Sequence, residues 1–126
     1  MMAANARMAV DFILSAGQLH DAPQGRILMD TVGKQKTVTP LLMDRAYKDD
    51  YTRHTAQMLK FDPVVPPKSN RKEPWEYDKE LYKFRNEIER LFRLIQGCRR
   101  VFCRFDKLDI MYIAFIQLAL VYVAIR

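Results

Sequence analysis

Residues 8–16, MAVDFILSA, mix β-branched and aromatic side chains and stop at Gly17, which predicts a mostly buried strand ending in a turn. A helix is expected next. Asp21, followed by Ala22-Pro23, supplies a side-chain oxygen for the orphan amides of a first turn, and Ile27, Leu28 and Val32 then recur at helical spacing until Gly33. After a polar loop at 34–37, the run TVTPLLM predicts a short strand that delivers Asp44 at its end and is regular only in its latter half because of Pro40. Another helix is expected over about 49–60, capped by Asp49 or Asp50, with Tyr51, Met58 and Leu59 on its apolar side. FDPVVPP then reads as an extended segment closed by two prolines. Strand, helix, strand, helix, strand is the pattern of an α/β unit with a largely parallel sheet.

Past Pro67 the character changes. PPKSNRKEP is a basic, turn-rich loop, and Trp75 to Gln96 is one long helical pattern without Gly or Pro. From Ile110 to Ile125 the chain is apolar except for Gln117, bounded by Asp109 and Arg126. Sixteen helical residues rise about 24 Å, short of the roughly 30 Å hydrocarbon core of a bilayer. A buried C-terminal helix packed on the sheet is the expectation, with a tail anchor as the alternative.

The 126 residues are 49% apolar and 29% charged, the composition of an ordinary globular chain of one domain at most. Cys98 and Cys103 cannot make a disulfide scaffold, and with His20, His54 and no CxxC a structural zinc site is not expected. Both thiols read as reduced and the chain as cytoplasmic. The N-terminal stretch, with one Arg and a broken apolar run, lacks the pattern of a signal peptide. The net charge of +6 is concentrated: residues 68–107 hold 12 Lys or Arg against 7 Asp or Glu, a balance of +5.

On the long helix expected over 75–96, Tyr82, Arg85, Glu89 and Gln96 stand at i, i+3, i+7 and i+14, within about 60° of one another at 100° per residue. A solvated helix side, with Glu89 paired to Arg85 or Arg93, accounts for such a stripe as well as a functional face does.

The stretch YKFRNEIERLFRLIQGCRRVFCRFDKL resembles the C-terminal signature of DDE transposases encoded by bacterial insertion sequences: Tyr, two residues, Arg, three residues, Glu, six residues, Lys. Tyr82, Arg85 and Glu89 match in spacing, as do Asn86, Ile88, Arg90, Arg99, Arg100, Asp106 and Lys107, while Gln96 stands where the family usually has Lys. LLMDRAYKDD is similar to the family's strand-plus-Asp segment, SAGQLHDAP to its Ala-Gly-Gln-x-His-Asp segment and VVPPKSNRK to its Pro-Pro-basic loop. The resemblance thus runs from about residue 8 to the end.

It implies an incomplete RNase H-like fold, a mixed α/β sheet flanked by helices, with a long catalytic helix and an apolar C-terminal helix over 108–126. It further implies that Asp44 and Glu89 are the second and third catalytic carboxylates and the metal ligands, for Mg²⁺ or Mn²⁺, with Tyr82, Arg85 and Gln96 in supporting positions. Two hard ions held by carboxylates from separate elements suit phosphodiester cleavage and strand transfer, one activating the attacking oxygen and one stabilising the leaving oxygen. The first Asp has no counterpart. Asp11 precedes Phe-Ile-Leu, and Asp30, though followed by Thr31, lies in a predicted helix. The chain therefore reads as starting inside the catalytic domain, and activity or metal binding by it alone is not expected.

The expected partners are DNA, both transposon ends and target, and the missing N-terminal half or a full-length transposase. Lys68, Arg71, Lys72, Arg99, Arg100, Arg104 and Lys107 suit phosphate contacts, although a solvated charge run explains half of them equally. His20 and Asp21 read as a turn and helix cap. Trp75, Phe84, Leu91, Phe92 and Ile95 read as core or interface, and His54 and the cysteines receive no role. Two other readings stay open: a nonenzymatic DNA-binding or inhibitory fragment, and a small tail-anchored basic membrane protein.

Overall fold

The structure, a computed structural model, describes residues 1–126. In chain order its elements are β1 (Met2–Asn5), β2 (Met8–Asp11), α1 (Asp21–Val32), β3 (Thr39–Leu42), α2 (Asp50–Met58), β4 (Phe61–Val64), α3 (Lys79–Tyr82), α4 (Asn86–Gln96), α5 (Arg99–Phe102) and α6 (Asp109–Ile125). Two 3-10 turns, Arg45–Tyr47 and Lys83–Arg85, lie before α2 and after α3. The fold is mixed α/β with small sheets. It divides into two compact units, Met1–Leu14 with Asn86–Arg126, and Ser15–Arg85.

In the unit of residues 15–85, β3 and β4 pair in parallel, Thr39 opposite Phe61 through Leu42 opposite Val64. Parallel strands need a crossover, and α2 supplies it, packing on β4. Asp49 caps α2: its Oδ1 accepts from the Thr52 amide at 2.8 Å and its Oδ2 from the Thr52 hydroxyl at 2.6 Å. Thr52 is fully buried, and its hydroxyl also accepts from Arg26 at 2.8 Å, so the one buried polar side chain in this core is satisfied on both sides. Leu28 and Met29 of α1, Ala56 of α2, and Met43, Phe61, Val64 and Val65 are the buried apolar residues of this unit. Tyr51 and Met58, expected on the apolar side of α2, are exposed instead. The helix buries a narrower stripe through Thr52 and Ala56.

Helix α1 runs as expected and ends at Gly33, whose φ of 82° with ψ of −178° suits glycine. Its N-cap is His20, without a side-chain bond, and Asp21 sits within the first turn, where its charge complements the helix dipole. The cap position is thus one residue earlier than expected. Gly25 lies against the Tyr47 ring so closely that a Cβ there would overlap it.

In the other unit β1 and β2 form an antiparallel hairpin around Ala6 and Arg7, with irregular register. Asn5 Oδ1 accepts from the Arg7 amide at 2.8 Å and closes the turn locally. Glu87 of α4 accepts from the Ala6 amide at 3.2 Å. The core joins Leu91 and Ile95 of α4, Val101 of α5, and Ile116, Ala119 and Val123 of α6, with Ala3, Ala9 and Phe12 of the hairpin segment packed against it. The expected C-terminal helix is present and packs on the hairpin, α4 and α5, but it is buried on one side only, through Ile116, Ala119 and Val123. No helix is long and apolar enough to cross a membrane.

Three expectations are corrected. The buried strand read over 8–16 is regular only over Met8–Asp11 and is half exposed, because it pairs with β1 on one side alone. The single largely parallel sheet is two separate two-stranded sheets, of which β3 and β4 form the only parallel pair. The long helix over 75–96 is broken. Asp78 caps α3 by accepting from the Leu81 amide at 2.9 Å, and Lys83–Arg85 tighten into a 3-10 turn before α4. The Asp78 cap makes the helical stretch start at Lys79 rather than Trp75, leaving residues 75–78 outside it.

Candidate functional site

Met43 holds the end of β3 in register, its amide donating to the Val64 carbonyl at 3.1 Å, and it is buried. The next residue, Asp44, is exposed at the strand's carboxyl end. Its Oδ1 accepts from the Arg45 amide at 2.6 Å and caps the 3-10 turn, whose Tyr47 amide donates to the Asp44 carbonyl at 2.9 Å. The second carboxylate oxygen, Oδ2, lies 3.6 Å from Arg85 Nη1. Such a partly exposed pair contributes at most about 1 kcal/mol, so its importance is positional rather than energetic.

Tyr82, the last residue of α3, belongs to the same neighbourhood. Burial pushes its phenol above the ordinary value; Asp44 adds to the rise, while Arg85 and Arg45 oppose it. Its ring meets Tyr77 edge to face at 5.7 Å. Tyr47 is likewise raised, by burial and then by Asp21 and Asp44. Of the residues singled out by sequence, Asp44, Tyr82 and Arg85 are thus brought together. Arg45, Tyr47 and Tyr77 join them and were not anticipated, although Arg45 and Tyr47 lie within the string LLMDRAYKDD.

Glu89 and Gln96 lie on α4, in the other unit, and both are exposed. The 3-10 turn Lys83–Arg85 separates α3 from α4, so Tyr82, Arg85, Glu89 and Gln96 do not lie on one continuous α-helix as expected. Gln96 lines an apolar cavity of about 400 Å³ together with Phe12, Phe92, Phe102 and Tyr112.

A divalent pair needs several carboxylate oxygens from different elements. No group of three or more His, Cys, Asp or Glu side chains comes together, and the Asp44 carboxylate faces the Arg45 amide and Arg85. The residues as arranged do not amount to a metal donor set, and no chemical step is routed through a metal.

The basic residues divide. Lys68, Lys72 and Lys107 are exposed. Arg71 is engaged within the fold: its guanidinium reaches Asp50 at 3.0 Å, its Nε donates to the Glu73 carbonyl at 3.0 Å, and it lies over Trp75 at 4.8 Å from the ring centroid. Arg53 covers Trp75 at 3.7 Å, and its guanidinium is held below its ordinary value by burial and by Arg71, with Asp50 opposing. The indole Nε1 donates to the Val65 carbonyl at 2.8 Å, so Trp75 is a clasp for the basic loop rather than a core residue. Arg99 lies over Phe105, Arg100 pairs with Asp106 at 3.7 Å and lies over Phe115, and Arg104 pairs with Asp109 and lies over Tyr112. These contacts pin the segment between α5 and α6. Leu91 and Ile95 are core as expected, whereas Phe84 and Phe92 are exposed. Cys98 and Cys103 are free thiols.

A family model described as the transposase DDE domain matches residues 1–124. Comparisons with curated proteins and with solved structures give no match. The family acts in DNA transposition, binds DNA and generally uses divalent metal ions. Since the match spans both units and nearly the whole chain, the chain belongs to the transposase DDE domain family.

Proposed function

We propose that this chain is the C-terminal part of an insertion-sequence transposase catalytic domain with an RNase H-like plan, in which Asp44 and Glu89 are the second and third catalytic carboxylates. The observation that carries this reading is the Arg85–Asp44 pair at 3.6 Å. A strand-end Asp and the Arg of the Tyr-x2-Arg-x3-Glu string, far apart in sequence, meet in one unit with Tyr82 beside them. That supports treating Asp44 of LLMDRAYKDD and the Tyr-x2-Arg start of the signature string as parts of one site. Arg85 restrains and orients the Asp44 carboxylate, and Tyr82 walls it on the side of α3. Gln96, a neutral amide at the family's Lys position, cannot supply a phosphate-pairing charge.

Residues 1–126 alone are proposed to be inactive, because Asp11 and Asp30 do not fit the first catalytic position. Asp11 ends a hairpin strand and Asp30 lies in α1. The test is an Mg²⁺- or Mn²⁺-dependent cleavage assay on duplexes carrying the element's terminal repeats. No product is expected from these residues, and cleavage abolished by Glu89→Gln would overturn the inactivity while strengthening the site assignment.

A second reading, nonenzymatic DNA binding that inhibits an intact transposase, is favoured by the exposure of Lys68, Lys72 and Lys107. Duplex binding that weakens steeply with salt is its mark, since each neutralised phosphate adds about 0.9 to the logarithmic slope. Absence of gel retardation at low salt removes it.

A further inference from the structure

Gly25 is the fifth residue of α1 and has no positive φ. Glycine weakens a helix interior about fourfold relative to alanine, so its place there calls for a reason other than backbone freedom. The reason is Tyr47. A Cβ at position 25 would stand 2.9 Å from Cδ1 of that ring, closer still to Cε1, and 3.4 Å from Cζ, so the ring edge lies directly on the helix backbone. Asp21, four residues earlier, is on the same face of α1. The Tyr47 phenol is raised first by burial and then by Asp21 and Asp44, which fits a ring whose hydroxyl end lies toward both carboxylates.

Tyr47 is also tied to Asp44 through the backbone. It closes the 3-10 turn Arg45–Tyr47, its amide donates to the Asp44 carbonyl at 2.9 Å, and Asp44 Oδ1, accepting from the Arg45 amide, caps the same turn. Moving the ring moves the turn, and moving the turn moves the carboxylate. The strand β3 holds Asp44 from the N-terminal side, through the Met43 amide. Arg85 meets the carboxylate at 3.6 Å in a partly exposed pair, a grip too weak to fix a backbone.

We propose that Tyr47 is a positioning residue for Asp44: its ring, seated on Gly25, pins the 3-10 turn to α1 and fixes where the carboxylate is presented. The proposal rests on the reading of Asp44 as a catalytic carboxylate, and Tyr47 acts through Asp44 rather than on the DNA. Gly25 is the seat that makes the contact possible. A larger residue at 25 and a smaller one at 47 therefore loosen the same carboxylate, one by pushing the ring away and the other by removing it.

Two measurements on the full 126-residue chain test it. By chemical denaturation, Gly25→Ala should lower the folding equilibrium constant of the parent chain, because the ring must shift. In a Tyr47→Ser chain the same substitution should raise that constant about fourfold, because only helix propensity is left. By nuclear magnetic resonance, the Arg85 Nε–Hε signal, assigned by its loss in Arg85→Lys, reports the Asp44 charge beside it and moves on Asp44→Asn. Gly25→Ala and Tyr47→Leu should move the signal most of the way to the Asp44→Asn position, whereas Tyr47→Phe, which keeps the ring, should leave it at the parent position. Asp49→Ala, which weakens the same unit at the α2 cap, should also leave it, so that lost stability alone does not mimic displacement. If Gly25→Ala does not fold, Tyr47→Leu, which opens space instead of filling it, carries the second measurement. The proposal is overturned by a signal indifferent to Asp44→Asn or unmoved in Gly25→Ala and Tyr47→Leu, by an equal shift in Asp49→Ala, or by a Gly25→Ala effect of the same sign with and without the ring. Neither measurement involves cleavage, so failure here is distinct from failure of Asp44 as a catalytic carboxylate, which the cleavage assay judges.

Discussion

The Arg85 guanidinium stands 3.6 Å from the Asp44 carboxylate, and Tyr82 feels both charges with opposite sign. Asp44 disfavours the tyrosinate and Arg85 favours it. Asp44→Asn should therefore lower the Tyr82 pKa and Arg85→Gln should raise it further, read from the near-ultraviolet absorbance of tyrosinate against a Tyr82→Phe control. Shifts in the same direction for both variants would show that the two side chains do not share this neighbourhood in solution.

The same residues set an alkaline limit. Tyr47 and Tyr82 have folded-state pKa values above the ordinary 10.0, so the folded state holds its phenol protons more tightly than the unfolded state does. That contribution is fully present below pH 10 and is lost as pH rises through the folded-state values. Urea midpoints should fall above pH 10, and less so in Tyr47→Phe. An unchanged alkaline slope in that variant would contradict the burial of the Tyr47 phenol.

Acid acts on Asp49 with the reverse sign. Burial opposes its ionisation, but the Thr52 hydroxyl and amide, with Arg26, outweigh burial and hold its carboxyl below the ordinary 3.8. This stabilisation is present above pH 3.8 and disappears as pH falls through the folded-state value. Asp49→Ala should cost about 1 kcal/mol at neutral pH through the lost cap. Asp49→Asn, which keeps a capping oxygen without the charge, should mainly flatten the acid limb. Chemical denaturation at neutral and acid pH separates the two effects.

Lys60, just beyond α2, is the single non-glycine residue with positive φ, at 61°. Its amide donates to the Gln57 carbonyl at 3.0 Å, so the left-handed turn is what ends the helix. Lys60→Gly removes the steric cost of a Cβ in that conformation and should stabilise the protein by about 1 kcal/mol. A lower denaturation midpoint would mean that the turn differs in solution.

Trp75 is the single tryptophan, so its fluorescence reports directly on the clasp formed with Arg53, Arg71 and the Val65 carbonyl. Trp75→Leu loses both stacked guanidiniums and the indole hydrogen bond. Trypsin should then cut after Lys68, Arg71 or Lys72 several times faster than in the parent chain, as limited digestion with mass spectrometry would show. Equal cutting rates would remove the clasp.

Local rules reached far along this chain. Pro23 in a first turn and Gly33 beyond a last one bracket α1, Asp49 starts α2, and the apolar run after Pro40 ends in Asp44; each depends on backbone groups within a few residues and was legible in the string itself. So was the resemblance that the family match bears out, because motif spacing is a property of sequence. Other features depend on partners far away. Whether residues 8–16 were a buried strand depended on the neighbouring strand, and pairing with Met2–Asn5 left half of it exposed. Which side of α2 was buried depended on the approach to β4, which favoured Thr52 and Ala56 over Tyr51 and Met58. The break between Asp78 and Asn86 converted one helical pattern into three elements, and Arg85 then met Asp44, a contact that composition and periodicity could not report because side-chain reach is set by tertiary packing rather than by distance along the chain.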